Sequence, residues 1–176
     1  MSTAVSKTAH YWTLPWSRWI QSIYYACFHS IIQYGIIFWG NSTNSVKIFT
    51  LQKKIFRIMV DAQPRTSCIS LFKQLEILPV PCQYILSIMN FIINNQEIFH
   101  TNSSTHNLNT RYKHHLHRPN ANLPCFQKSQ LYADIKLFNS LPPSVTILRN
   151  NRTKFQAALR KYLHTYSFYS VEEFCV

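Results

Sequence analysis

In one stretch after another, apolar residues of this chain return every three or four positions, and nowhere do they alternate over the length of a strand. That period is the α-helical one, so the chain must bury stripes on helices and not the faces of a pleated sheet. The pattern predicts a first helix over 16–39, with Ile20, Ile23, Tyr24, Cys27, Ile31 and Tyr34 on one side and Arg18, Ser22, His29 and Gln33 on the other. Gly40 stands where a left-handed C-cap is expected, ahead of the turn-forming "GNSTNS". A second helix starts at Asn44 or Ser45, both good N-caps, and runs to about residue 60. Its apolar face is read as Ile48, Leu51, Ile55, Ile58 and Met59. Lys47, Lys53, Lys54 and Arg57 gather opposite it, within an arc of about 120°.

A short helix over 67–75 and a proline-flanked link lead to a helix over 81–97, which Pro81 can open as its first residue. Ile85, Ile88, Met89, Ile92 and Ile93 point inward on it. A helix over 129–140 turns Leu131, Ile135 and Phe138 inward and is stopped by "LPP". The last helix, over 152–164, buries Phe155, Ala158, Leu159 and Tyr162. The expectation is an all-α fold: one domain of about five or six helices over 16–165, with a loose lead-in over 1–15 and a C-terminal tail over 166–176. Between the helices lies "HTNSSTHNLNTRYKHHLHRPNANLP", polar, basic, rich in histidine and without a period. It reads as a long loop over 100–124.

From Trp19 to Val46 no side chain carries a full charge, a length sufficient to span a bilayer. The polar stripe along it argues for a helix lying on a core, so no membrane partner is expected. Five cysteines, scattered singly at 27, 68, 82, 125 and 175, make no disulfide framework and suit a reducing compartment. The first residues lack the apolar run of a signal peptide.

The acids decide what chemistry is open. Nucleotidyl transfer on two metal ions needs clustered carboxylates. The six here are Asp61, Glu76, Glu97, Asp134, Glu172 and Glu173, and the single adjacent pair stands near the C-terminus. The two glycines, Gly35 and Gly40, exclude a glycine-rich phosphate loop. His114, His115, His117 and Cys125 are the nearest approach to a zinc set, yet no C-x-x-C is present. A Cys–His nucleophile has no acid or amide partner in view. The chain is therefore read as no enzyme, with no metal and no cofactor.

What it has is positive charge: 18 Lys and Arg, a formal net charge of +12, and a pI near 9.7. That imbalance points to a polyanion such as RNA or DNA. The charge falls in four clusters. They are Lys47, Lys53, Lys54 and Arg57; Arg111, Lys113 and Arg118 among histidines; Lys128 and Lys136; and Arg152, Lys154, Arg160 and Lys161. Such groups contact phosphate and set affinity more than sequence choice. A solvated helix face shows the same pattern. Tyr112, Phe126, Tyr132 and Tyr162 lie among the clusters and could stack on unpaired bases, although Phe126 and Tyr162 fit a core better.

"YGIIFWG", then "IFTLQKKIFRIM", then "SCISLFKQLEILPVPCQYIL", followed in order by "NTRYKHHLHRPNANL", "LYADIKLFNSLP" and "FQAALRKYLHTYSFYSVEEF", resemble one known region. It is the C-terminal, post-palm region of reverse transcriptases encoded by non-LTR retrotransposons, the jockey-like LINE group of arthropods. The resemblance covers roughly residues 23–174. It implies thumb-like helices that grip a template–primer duplex, a parent enzyme that is an RNA-directed DNA polymerase, and intracellular, nuclear work. The aspartate-bearing palm motif of that family is missing. The expectation is a truncated C-terminal fragment that binds RNA, DNA or their hybrid with tolerance for sequence and takes no small-molecule substrate. The alternatives are a module that docks on a palm-containing parent enzyme, and an inert gene fragment.

Overall fold

The computed structural model describes residues 15–106, 112–120, 122–127 and 129–175. It is 68% helical with no strand among the described residues, so the all-α class holds. The helices are shorter and more numerous than the five or six expected. In chain order they are α1 (Pro15–Ile23), a π-helical turn (Tyr24–His29), α2 (Ser30–Gln33), α3 (Ile36–Trp39), α4 (Ser45–Met59), α5 (Cys68–Leu75) and α6 (Val80–Asn94). Then come α7 (Asn102–His106), α8 (Pro124–Gln127), α9 (Gln130–Asn139), α10 (Pro143–Thr146), a 3-10 turn (Ile147–Asn150), α11 (Arg152–Tyr166) and α12 (Val171–Phe174).

The hub is α6. Its Val80, Cys82, Tyr84, Ile85, Ile88 and Met89 have no exposed surface, and α3, α4, α9, α11 and α12 all pack on it. A helix apolar nearly all round belongs at such a centre. All five of its predicted inward residues are buried. Its start is held from outside. Pro79 and Pro81 carry no N–H, and the Val80 N–H between them donates to Gln52 Oε1 at 2.9 Å. Gln52 Nε2 in turn donates to the Leu78 carbonyl at 3.0 Å and to the Tyr24 hydroxyl at 2.9 Å. One buried amide on α4 thereby fixes the π-helical turn, the link and the start of α6 together.

That amide also corrects the predicted face of α4. Phe49, Gln52 and Phe56 are buried, whereas Leu51 and Ile58 of the expected apolar face are 50% and 79% exposed. Aromatic packing sets the rotation: Phe56 lies 4.6 Å from Phe72, and Phe49 lies 5.0 Å edge-on to Tyr169.

The continuous helix expected over 16–39 is broken twice. At the π-helical turn the Ser30 N–H reaches back to the Tyr25 carbonyl, five residues away. At Tyr34 the chain becomes extended, and Gly35 takes φ +65°, the left-handed conformation glycine adopts without strain. Gly40, expected to be the left-handed residue, is right-handed at φ −62°. Its lack of a side chain serves packing instead, because a Cβ there would overlap the Tyr84 ring and the Ile36 carbonyl oxygen.

On α9, Ile135 and Phe138 are buried as expected, but Leu131 is exposed and Asp134 and Leu137 are buried. On α11, Phe155, Leu159 and Leu163 have no exposed surface, and Ala158 and Tyr162 sit half-buried at the margin. The segment expected as a tail packs back on this helix. Phe174 is buried, and the Cys82 thiol donates to the Phe168 carbonyl at 3.4 Å. No single described helix is long and apolar enough to cross a membrane. The bent pair α5–α6 passes that test on length and composition, and α6 is the centre of the core.

Candidate nucleic-acid interface

The segment read as a long loop over 100–124 is partly built into the fold among its described residues. Thr101 and Leu116 form an isolated antiparallel bridge, and α7 follows Thr101 directly. Asn102 N–H donates to the His115 carbonyl at 3.0 Å, Ser103 N–H to Lys113 at 3.1 Å, and His117 N–H to His100 at 2.8 Å. Leu116 is the anchor. Its side chain is 4% exposed, and Asn139 holds both of its backbone groups. Asn139 Oδ1 accepts from the Leu116 N–H at 2.8 Å, and its Nδ2 donates to the Leu116 carbonyl at 3.0 Å. An exposed polar stretch thus gains one apolar anchor and one amide clamp, enough to satisfy backbone groups that water would otherwise serve.

The clamp sets His115, His117 and Arg118 against the last turns of α9, where Lys136 stands one turn before Asn139. Between them lies a cavity of about 560 Å³, lined also by Asn102, His106 and Tyr112. No carboxylate lines it. The His106 and His117 rings meet at 3.2 Å between Nε2 and Nδ1, and Tyr112 stands 4.9 Å edge-on to His115. The Arg118 guanidinium lies 4.8 Å over the Tyr132 ring, a contact that consumes none of its N–H donors. Arg149 steadies the outer side, donating to the His114 carbonyl at 3.4 Å.

The structure distributes the predicted basic residues unevenly. Arg118 and Lys136, from two clusters distant in sequence, share this cavity. Lys113 is half-buried in the turn beside it. Arg111 and Lys128 lie outside the described residues. On α4 the four cations do not act as one ridge. Lys47 and Lys54 are exposed, whereas Lys53 sits 4.5 Å over the Phe49 ring and Arg57 Nε donates to the Thr66 carbonyl at 3.2 Å. On α11, Arg152, Lys154 and Lys161 are exposed. Arg160 borders a separate cavity of about 250 Å³ with His29, His164, Glu76 and Asn90. Burial there lowers the titration of both His29 and His164, with Arg160 adding to the effect.

Of the candidate stacking rings, Tyr112 is 56% exposed at the cavity rim and Tyr132 lies under Arg118. Tyr162 packs 4.8 Å from Tyr166 and belongs to the C-terminal aromatic group. Phe126, expected in the core, is exposed on α8. Asn139, Asn102 and His106 went unread in the sequence, since a clamp and a cavity wall leave no periodic signal.

Among the described residues, no three of His, Cys, Asp and Glu are placed to hold a metal ion. Burial pushes the Cys82 thiol up to about 12, which keeps it protonated and unreactive. A different surface is apolar. Ile20, Ile23, Cys27, Phe28, Ile31, Ile55, Ile58 and Met59 line a groove of about 450 Å³ between the first helices and α4. No protein-family model, no curated protein and no solved structure matches the chain.

Proposed function

We propose that this chain binds nucleic acid with tolerance for sequence, through phosphate contacts to its basic surface. By its resemblance, it represents the post-palm region of a retrotransposon reverse transcriptase. The observation that carries the reading is the carboxylate-free cavity where Arg118, Lys136 and three histidines converge beside an exposed tyrosine. Lys47, Lys54, Lys154 and Lys161 add exposed positive charge elsewhere. Phosphate binding of this kind releases counterions, so the association constant should fall by about 0.7–0.9 log unit per log unit of salt for each phosphate contacted. Fluorescence anisotropy with RNA, DNA and hybrid oligonucleotides across a salt series tests this. Binding that ignores salt, or no binding at low salt, rejects it.

The apolar groove supports a second reading, a module that docks on a palm-containing parent enzyme. Ile23, Ile31 and Ile58 are 60%, 73% and 79% exposed around it, more contiguous apolar surface than scattered side chains make. Size-exclusion chromatography with a palm-containing reverse transcriptase decides this reading, and failure to co-elute removes it.

A further inference from the structure

We propose that the cavity between segment 112–118 and α9 makes this chain prefer single-stranded nucleic acid over duplex. It takes a backbone phosphate between Arg118 and Lys136 and receives the adjoining unpaired base against Tyr112. The inference rests on the nucleic-acid reading above and names its substrate class.

Shape comes first. A volume of about 560 Å³ lies within the range of about 300–1,000 Å³ typical of small-ligand pockets. A duplex keeps its bases stacked inside and can offer this open concavity only its phosphates. An unpaired strand can splay a base into it. Chemistry comes second. The lining supplies a guanidinium and an ammonium for the phosphate, with no carboxylate to repel it. Tyr112 supplies an exposed π-face at the rim, and stacking on such a face is tolerant of sequence. Pre-organisation comes third. Asn139 clamps Leu116, Tyr132 supports Arg118 and His115 supports Tyr112, so little ordering remains to be done on binding. The exposed lysines of α4 and α11 lie outside the cavity, and these can serve the phosphates of either form.

The test uses the full chain with ten-nucleotide oligo-dT and oligo-U, and with a blunt DNA duplex of equal length. The wild type should bind the single strands more tightly. Tyr112→Ala should weaken single-strand binding roughly tenfold and change duplex binding less than twofold, whereas Tyr112→Phe should retain both. Arg118→Ala should reduce the salt slope for single strands by about one phosphate's worth and the duplex slope by less. Lys154→Ala with Lys161→Ala should weaken both forms alike. Thermal melts check that each variant folds, which is expected because Tyr112 and Arg118 are exposed. Equal affinity for duplex and single strand, or equal losses on both with Tyr112→Ala, overturns the proposal while leaving nucleic-acid binding intact. No binding of any oligonucleotide overturns the nucleic-acid reading and this inference with it.

Discussion

Asp134 is 3% exposed, and its carboxyl accepts a hydrogen bond from Gln130 Nε2 at 2.8 Å, an amide that also donates to the Tyr84 hydroxyl at 2.7 Å. Burial pushes its titration up from 3.8 to about 6, and the Gln130 hydrogen bond offsets only part of that. Folding therefore favours the protonated acid. The contribution is fully present below the unfolded value and is lost as pH rises through about 6, where the carboxylate must sit desolvated. Asp134→Asn keeps an oxygen for Gln130 and removes the charge. At pH 7.5 the variant should be more stable than wild type by on the order of 2 kcal/mol, and at pH 4 the gap should close. Urea melts at the two values measure this, and an equal gap at both would show that charge is not the cause. Asn139 is a residue of another kind, tied to function through the backbone it holds. Asn139→Ala frees both polar groups of Leu116 and should cost about 1–3 kcal/mol. It should also raise amide exchange over 112–118 well before α6 opens, and uniform exchange across the chain would deny the clamp its local role.

Among elements, α4 shows how a single polar side chain can mislead and then matter. Position 52 lies at the centre of the buried face, between Phe49 and Phe56, yet a glutamine there breaks the apolar stripe and shifts the apparent face toward Leu51 and Ile58. A leucine at position 52 would improve the pattern and damage the fold. Gln52→Leu strands the Val80 N–H and takes one hydrogen bond from the Tyr24 hydroxyl, at about 2–4 kcal/mol and several degrees of Tm. A rise in Tm on that substitution would mean that apolar burial outweighs the amide. The two glycines make a second comparison. Gly35→Ala forces a side chain into φ +65° at about 1 kcal/mol, whereas Gly40→Ala drives a Cβ into Tyr84, which is fully buried and cannot yield. Gly40→Ala should be the worse of the two in thermal melts, and the reverse order would contradict the close approach. Helix existence was legible because period survives local exceptions: α4, α5, α6, α9 and α11 stand near where the spacing put them. Rotation of α4, the π-helical turn at Tyr24–His29 and the Leu116 anchor were not legible. Each depends on a partner distant in sequence: Phe72 and Tyr169, Gln52, and Asn139 in turn. For the same reason the sequence proposed thirteen candidate cations in four clusters but could not say that Arg118 and Lys136 would meet while Lys53 and Arg57 turned inward onto Phe49 and the Thr66 carbonyl.

At the scale of the whole molecule two forces oppose each other. A net charge of +12 drives copies of the chain apart and draws polyanions in. The apolar groove beside α4, with Ile31 and Ile58 standing out of it, draws copies together when nothing else covers it. Salt acts on the first force and hardly on the second, since screening shortens electrostatic reach from about 10 Å at 0.1 M to about 3 Å at 1 M. The two behaviours should therefore diverge along one salt series. Oligonucleotide binding should fall as salt rises, while light scattering from the free protein should grow. Ile31→Ser with Ile58→Ser separates them, because both side chains are exposed and each change should cost no more than about 0.5 kcal/mol of stability. The double variant should stay clear at high salt and bind oligonucleotides as wild type does. Scattering equal to that of wild type would place the sticky surface elsewhere, and weakened oligonucleotide binding would mean that the groove and the basic cavity act as one surface.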